Sequence, residues 1–136
     1  MKLPILCLDF DGVIHAYTSK WTKADEIHDG PVGGACAFII RAQQHFRVVI
    51  YSSRSCQPGG LRAMKKWLEA AFWDHFDDGD GLSPKQMSEV AAILAGIEWP
   101  LEKPPAHVIL DDRALNFAGT WPEMDDLIHF KPWNKR

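Results

Sequence analysis

The sequence predicts a single α/β domain built on a mostly parallel sheet with helices on both faces. Three observations carry that expectation. The short apolar runs Leu3–Leu8, Val48–Tyr51 and His107–Leu110 are what strands buried on both faces look like. Helical stripes between the runs supply crossover helices, which makes the strands parallel. Each run also stops abruptly at polar side chains, and parallel sheets bind ligands beyond the carboxyl ends of their strands.

Taken in order, Leu3–Leu8 is the first strand and ends in Asp9-Phe10-Asp11-Gly12. Ala35–His45 carries its apolar residues on one stripe and predicts a helix. Val48–Tyr51 is the second strand, closed by Ser52-Ser53-Arg54. Leu61, Met64, Trp67, Leu68 and Phe72 recur at helical spacing, with Trp67 and Trp73 expected in the core. A third helix starts at the N-cap Ser83, followed by Pro84, and runs through Met87, Val90, Ala91 and Leu94 to Gly96. His107–Leu110 is the third strand and ends in Asp111-Asp112-Arg113, while Leu127–Phe130 is expected as a last, edge strand. The acidic turn Asp77–Gly81 and the proline-rich Glu98–Pro105 are short connections, and Lys131–Arg136 reads as a solvated end.

Composition narrows the class. The length of 136 residues suits one domain, and 46% hydrophobic with 24% charged residues excludes a disordered, collagen-like or coiled-coil chain. A net charge of −3 gives no overall positive field for nucleic acid or anionic lipid. Cys7, Cys36 and Cys56 have no CxxC spacing, so neither a disulfide framework nor a zinc site is expected. The apolar stretch before Asp9 is too short for a signal peptide, and no run approaches the roughly 20 residues of a membrane span. The expected compartment is the cytoplasm, with no membrane association and no obligate protein partner.

The chemistry sits at the strand ends. Asp9 and Asp11, at i and i+2, leave the first strand on the same side. Carboxylates held together raise one another's pKa or recruit a cation, and oxygen ligands suit Mg²⁺. Asp111 and Asp112 bring a second pair to the same pocket, where a phosphate additionally needs donors and a positive charge. Ser52 and Lys103 are the natural sources, with Lys85 the competing lysine; Ser52 taken alone is a turn or capping residue. His15 is equally a substrate contact or a buried loop histidine, and Trp21 sits where it can line the mouth of the pocket.

The ordered set Asp9-Phe10-Asp11-Gly12-Val13, Ser52, Lys103 and Asp111-Asp112 resembles the four motifs of the haloacid dehalogenase superfamily of phosphatases. The resemblance spans roughly Leu3 to Arg113 and implies a Rossmann-like fold and a Mg²⁺-dependent phosphohydrolase. It casts Asp9 as nucleophile and Asp11 as general acid and base. Asp9, the Asp11 carbonyl and Asp112 would hold the metal, with Asp111 sharing that role or orienting Lys103. Ser52 and the backbone N–H of Phe10 or Ser53 would donate to phosphoryl oxygens, and Lys103 would position Asp9. Ser52-Ser53-Arg54 and Asp111-Asp112-Arg113 are similar to patterns in polynucleotide kinase and RNA-repair phosphatase domains, which adds Arg54 to the substrate contacts. The substrate so implied is a phosphate ester, with a nucleotide or nucleic-acid end as the suggested class.

The gaps between motifs leave mainly Ile14–Pro31 as spare chain, so no large cap domain is expected and the site should be open. Three rivals remain: a dehalogenase, against which Asp11 argues; a receiver-like phospho-acceptor, whose acceptor Asp would stand where Ser52 does; and a silent metal-binding module.

Overall fold

The computed structural model describes residues Lys2–Lys135. Strands β1 (Ile5–Leu8), β2 (Arg47–Ile50) and β3 (Val108–Leu110) form one parallel sheet in the order β2-β1-β3. The central β1 sets Leu6 opposite Val48 on one side and Val108 on the other. Glu98 extends the sheet beyond β2 as a parallel bridge to Val49, donating to the Val48 carbonyl and accepting from the Ile50 N–H.

Helices α1 (Ala35–Ala42), α2 (Gly60–Phe76) and α3 (Pro84–Ala95) occupy the connections β1 to β2 and β2 to Glu98. Both connections advance in the same direction across the sheet, so right-handed crossover puts all three helices on one face. Leu6, Leu8, Val48 and Ile50, alternating along their strands, meet Ile39 of α1, Met64 and Phe72 of α2 and Val90 of α3 in one buried cluster.

Helices on both faces were expected; the second face is closed differently. Cys7 and Val49 are buried there, and the coil that includes Lys103 and Pro104 runs beside Ile5, Val49, Cys7 and Tyr51. The return from Glu98 to β3 is shorter than the dozen or so residues that a helical crossover needs. β3 departs from the buried strand expected: Val108, Ile109 and Leu110 are between 39% and 41% exposed.

Local chemistry accounts for the elements. Ser83 Oγ accepts from the Gln86 N–H at 3.1 Å while Gln86 Oε1 accepts from the Ser83 N–H at 2.8 Å, a reciprocal capping box ahead of Pro84. In α2 the buried row is Gly60, Met64, Leu68 and Phe72. Trp73, expected in that stripe, lies about 100° further round the helix and is 40% exposed. Trp67 packs edge-on against Phe10.

Two further expectations fail near the C-terminal end. Leu127–Phe130 is not a strand, because α4 (Met124–Ile128) takes its first two residues, with Asp125 and Asp126 in the first turn where acids favour a helix start. The tail is not a solvated end. A 3-10 turn (Trp133–Lys135) docks beside the first loop, Trp133 Nε1 donating to the Gly12 carbonyl at 2.7 Å and Asn134 Nδ2 to the Ala16 and Tyr17 carbonyls. Arg136 lies outside the described residues. Among those described, no helix is long and apolar enough to cross a membrane, and all three cysteines are free.

Candidate metal and phosphate site

The sheet delivers its acids to one edge. The Asp9 N–H donates to the Leu110 carbonyl at 3.0 Å, which carries the β1–β3 ladder one residue further and sets Asp9 beside the start of the Asp111-Asp112 loop. Phe10 is fully buried, and its carbonyl accepts from the N–H groups of Val13, Ile14 and His15, folding the chain back on itself. Gly12 makes that turn possible at φ 83°; a Cβ there would stand 2.2 Å from Asp112 Oδ2.

Asp9, Asp111 and Asp112 each bring a carboxylate oxygen within 4.8 Å of the other two. Burial, opposed by the Phe10 N–H and reinforced by Asp111 and Asp112, pushes the Asp9 carboxyl up to about 8. Asp112 Oδ2 is buried without a hydrogen-bond partner. Carboxylates crowded to this degree, one with an unmet buried oxygen, have the composition of a hard-cation site, and the residues fit a divalent ion such as Mg²⁺.

The Asp11 side chain is directed elsewhere. His15 Nδ1 meets its Oδ1 at 2.8 Å and Arg54 Nε donates to its Oδ2 at 2.8 Å. His15 Nε2 accepts from the Asp29 N–H at 3.1 Å, so the ring proton belongs on Nδ1, facing Asp11. Burial raises the Asp11 pKa, but the hydrogen bonds from His15 and Arg54 outweigh it and the net displacement is downward. Arg54, only 1% exposed, also donates through Nη1 to the carbonyls of Lys23, Ala24 and Glu26. It thereby ties Asp11 to the loop between Ala16 and Gly30, whose ends pair through the Ala16 N–H and the Gly30 carbonyl.

An open cavity of about 450 Å³ lies over the acids, walled by Asp9, Asp11, Asp112, Tyr17, Trp21, Ser53, Gln57 and Arg113. Of the residues the sequence singled out, Asp9, Asp11, Ser53, Asp112 and Trp21 reach this wall. Ser52 is buried beneath it: its Oγ accepts from the Arg54 N–H at 3.2 Å and its own N–H donates to Ser55 Oγ. The Phe10 N–H favours the ionised Asp9 carboxyl. His15 and Arg54 act on Asp11 from within the fold. Lys103 is exposed and shares a second cavity with Asp9, Asp111 and Tyr51; among the described residues it makes no ion pair. Lys85 lies in the first turn of α3. Sequence reading missed Tyr17 and Gln57, for which no periodicity or motif speaks.

Fold and site together define an α/β protein with an acidic, cation-suited pocket at the carboxyl ends of adjacent parallel strands. No protein-family model, curated protein or solved structure matches the chain.

Proposed function

We propose that the chain is a magnesium-dependent phosphomonoesterase of the haloacid dehalogenase-like class, cytoplasmic and without a large cap domain. The observation that carries this reading is the meeting of Asp9 with Asp111 and Asp112 around the unpartnered Asp112 Oδ2. The parallel order β2-β1-β3, with the nucleophile candidate ending the central strand, supports the same class.

Asp9, the Asp11 carbonyl and Asp112 would hold Mg²⁺, with Asp111 alongside; when bound, the ion offsets the negative charge of an incoming phosphate and of the transition state. In the first step an Asp9 oxygen attacks phosphorus, the bond from phosphorus to the ester oxygen breaks, and the departing oxygen receives a proton from Asp11. In the second, water attacks phosphorus, the bond to Asp9 breaks, and Asp11 takes the water proton. One water is consumed, and an alcohol and inorganic phosphate are released. Ser53 at the wall and Lys103 beside Asp9 supply the donor and the positive charge that the phosphate requires.

Turnover of an aryl phosphate with Mg²⁺ and with chelator tests the reading. Metal-dependent release of phosphate, lost in Asp9→Asn, is the expected result; no turnover by a folded, metal-loaded protein contradicts it.

One observation favours a second reading, a non-enzymatic phospho-acceptor: His15 and Arg54 hold Asp11 as a carboxylate, the form that cannot donate a proton. Such a protein would take one phosphoryl group from acetyl phosphate and keep it.

A further inference from the structure

Two aromatic side chains stand at the mouth of the acidic cavity, and each is fixed by contacts the proposed hydrolysis does not use. Tyr17 is the only non-glycine among the described residues with positive φ, at 54°. Its carbonyl accepts from Asn134 Nδ2 at 3.0 Å, and Lys135 Nζ lies 4.4 Å from its ring centroid, so the docked tail holds a conformation that an ordinary residue avoids. Trp21 remains 41% exposed although the buried Arg54 guanidinium stands 4.4 Å over its ring. A large aromatic left this open on a cavity wall, and held still by a cation behind it, is suited to stack on a flat ligand.

The rest of the mouth adds hydrogen-bonding groups. Gln57 spends its Nε2 on the Ser53 carbonyl, which leaves its amide oxygen as an acceptor. The Arg113 guanidinium has no partner among the described residues and is exposed at the same wall. Two rings, an acceptor and a planar cation above an acid cluster match a ligand with a π face, polar edges and a negative charge. The volume of about 450 Å³ falls within the usual range for small-molecule sites.

We propose that this mouth is a nucleoside subsite: the phosphate ester presented to Asp9 is a nucleoside phosphate, its base stacked on Trp21 beside Tyr17. The proposal rests on the phosphatase reading of the acids below, and the experiment separates the two.

For the wild type, Trp21→Ala and Trp21→Phe, kcat/KM is compared between adenosine 5′-monophosphate and ribose 5-phosphate, which lacks the base. The expected preference for the nucleotide is about tenfold, since a base–aromatic stack contributes on that order. It should collapse in Trp21→Ala and recover in Trp21→Phe. Equal turnover of both esters by the wild type overturns the subsite while leaving the phosphatase intact. If neither ester is hydrolysed, titration calorimetry of the same two compounds with Mg²⁺ decides: base-dependent binding sustained by Trp21 upholds the subsite and sinks the hydrolase, whereas equal or absent binding overturns the subsite as well. A third arm, a short single-stranded oligonucleotide with a terminal phosphate, identifies the source of the nucleoside. The free nucleotide is favoured if it is turned over at least as well, and a nucleic-acid end if the oligonucleotide is preferred.

Discussion

Arg54 Nε donates to Asp11 Oδ2 at 2.8 Å, joining the loop after β2 to the loop after β1 through a buried guanidinium and a partly buried carboxylate. The same guanidinium also holds three backbone carbonyls of the 23–26 segment. One residue therefore sets the Asp11 rotamer and the position of the loop that carries Trp21.

Removing that charge strands the Asp11 carboxylate and three carbonyls. Arg54→Ala should cost about 3–5 kcal/mol in urea unfolding, the usual penalty for breaking a buried pair from one side. Arg54→Lys should recover little, because a point charge cannot serve the carboxylate and the carbonyls together. A loss below about 1 kcal/mol for Arg54→Ala would show that the network is dispensable.

Gly12→Ala sets a methyl against Asp112 Oδ2 and imposes a left-handed backbone on an ordinary residue. The backbone alone costs roughly 1–2 kcal/mol. The specific expectation is that the rise in Tm on adding Mg²⁺, present in the wild type, disappears in Gly12→Ala and in Asp112→Asn. An undiminished rise in both variants would remove Asp112 from the cation site.

Asp11 is the proton donor of the proposed first step, so its loss should matter most where the leaving group needs a proton. Asp11→Asn should lose roughly 10²- to 10⁴-fold on alkyl phosphates and much less on aryl phosphates, whose phenolate departs unaided. Equal losses on both would mean that Asp11 is not the proton donor.

Asp29 accepts from the Ser19 N–H and hydroxyl at 2.8 and 2.7 Å, and these bonds hold its carboxyl at about 2. A depressed native pKa contributes stability above the unfolded value and loses it as pH falls through the native one, here from about 4 to about 2. The gap in urea midpoint between wild type and Asp29→Asn should therefore be full near neutral pH and narrow below about pH 4. A gap independent of pH would assign the effect to loop shape rather than charge.

Strand ends and helix caps were legible because their causes are local. The apolar run before Asp9 forms β1, and Ser83 caps α3 ahead of Pro84 as read. The crossover helices were legible as well, but not the single face they share, which follows from the position of the Glu98 bridge on the far side of β2. At the site, Asp9, Asp11 and the pair Asp111-Asp112 could be named from their places after strands, and Asp112 within the pair only from the family resemblance. The inward use of Arg54 could not, because its carbonyl partners lie about 30 positions earlier in an irregular loop. Tyr17 was hidden for a similar reason: its positive φ and its bond from Asn134, more than a hundred residues away, leave no trace in local sequence. The docked tail escaped because it is held by a few side-chain donors, from Trp133 and Asn134, on carbonyls more than a hundred positions earlier.

The most direct test is where the phosphoryl group goes. The protein is incubated briefly with Mg²⁺ and an aryl phosphate, reduced with borohydride and digested, and the peptide spanning positions 3–20 is sequenced by mass spectrometry. Homoserine in place of Asp9, and its absence when Mg²⁺ is chelated, is the predicted result. Phosphate release without any modification of Asp9, or homoserine at position 111 or 112 instead, would contradict it.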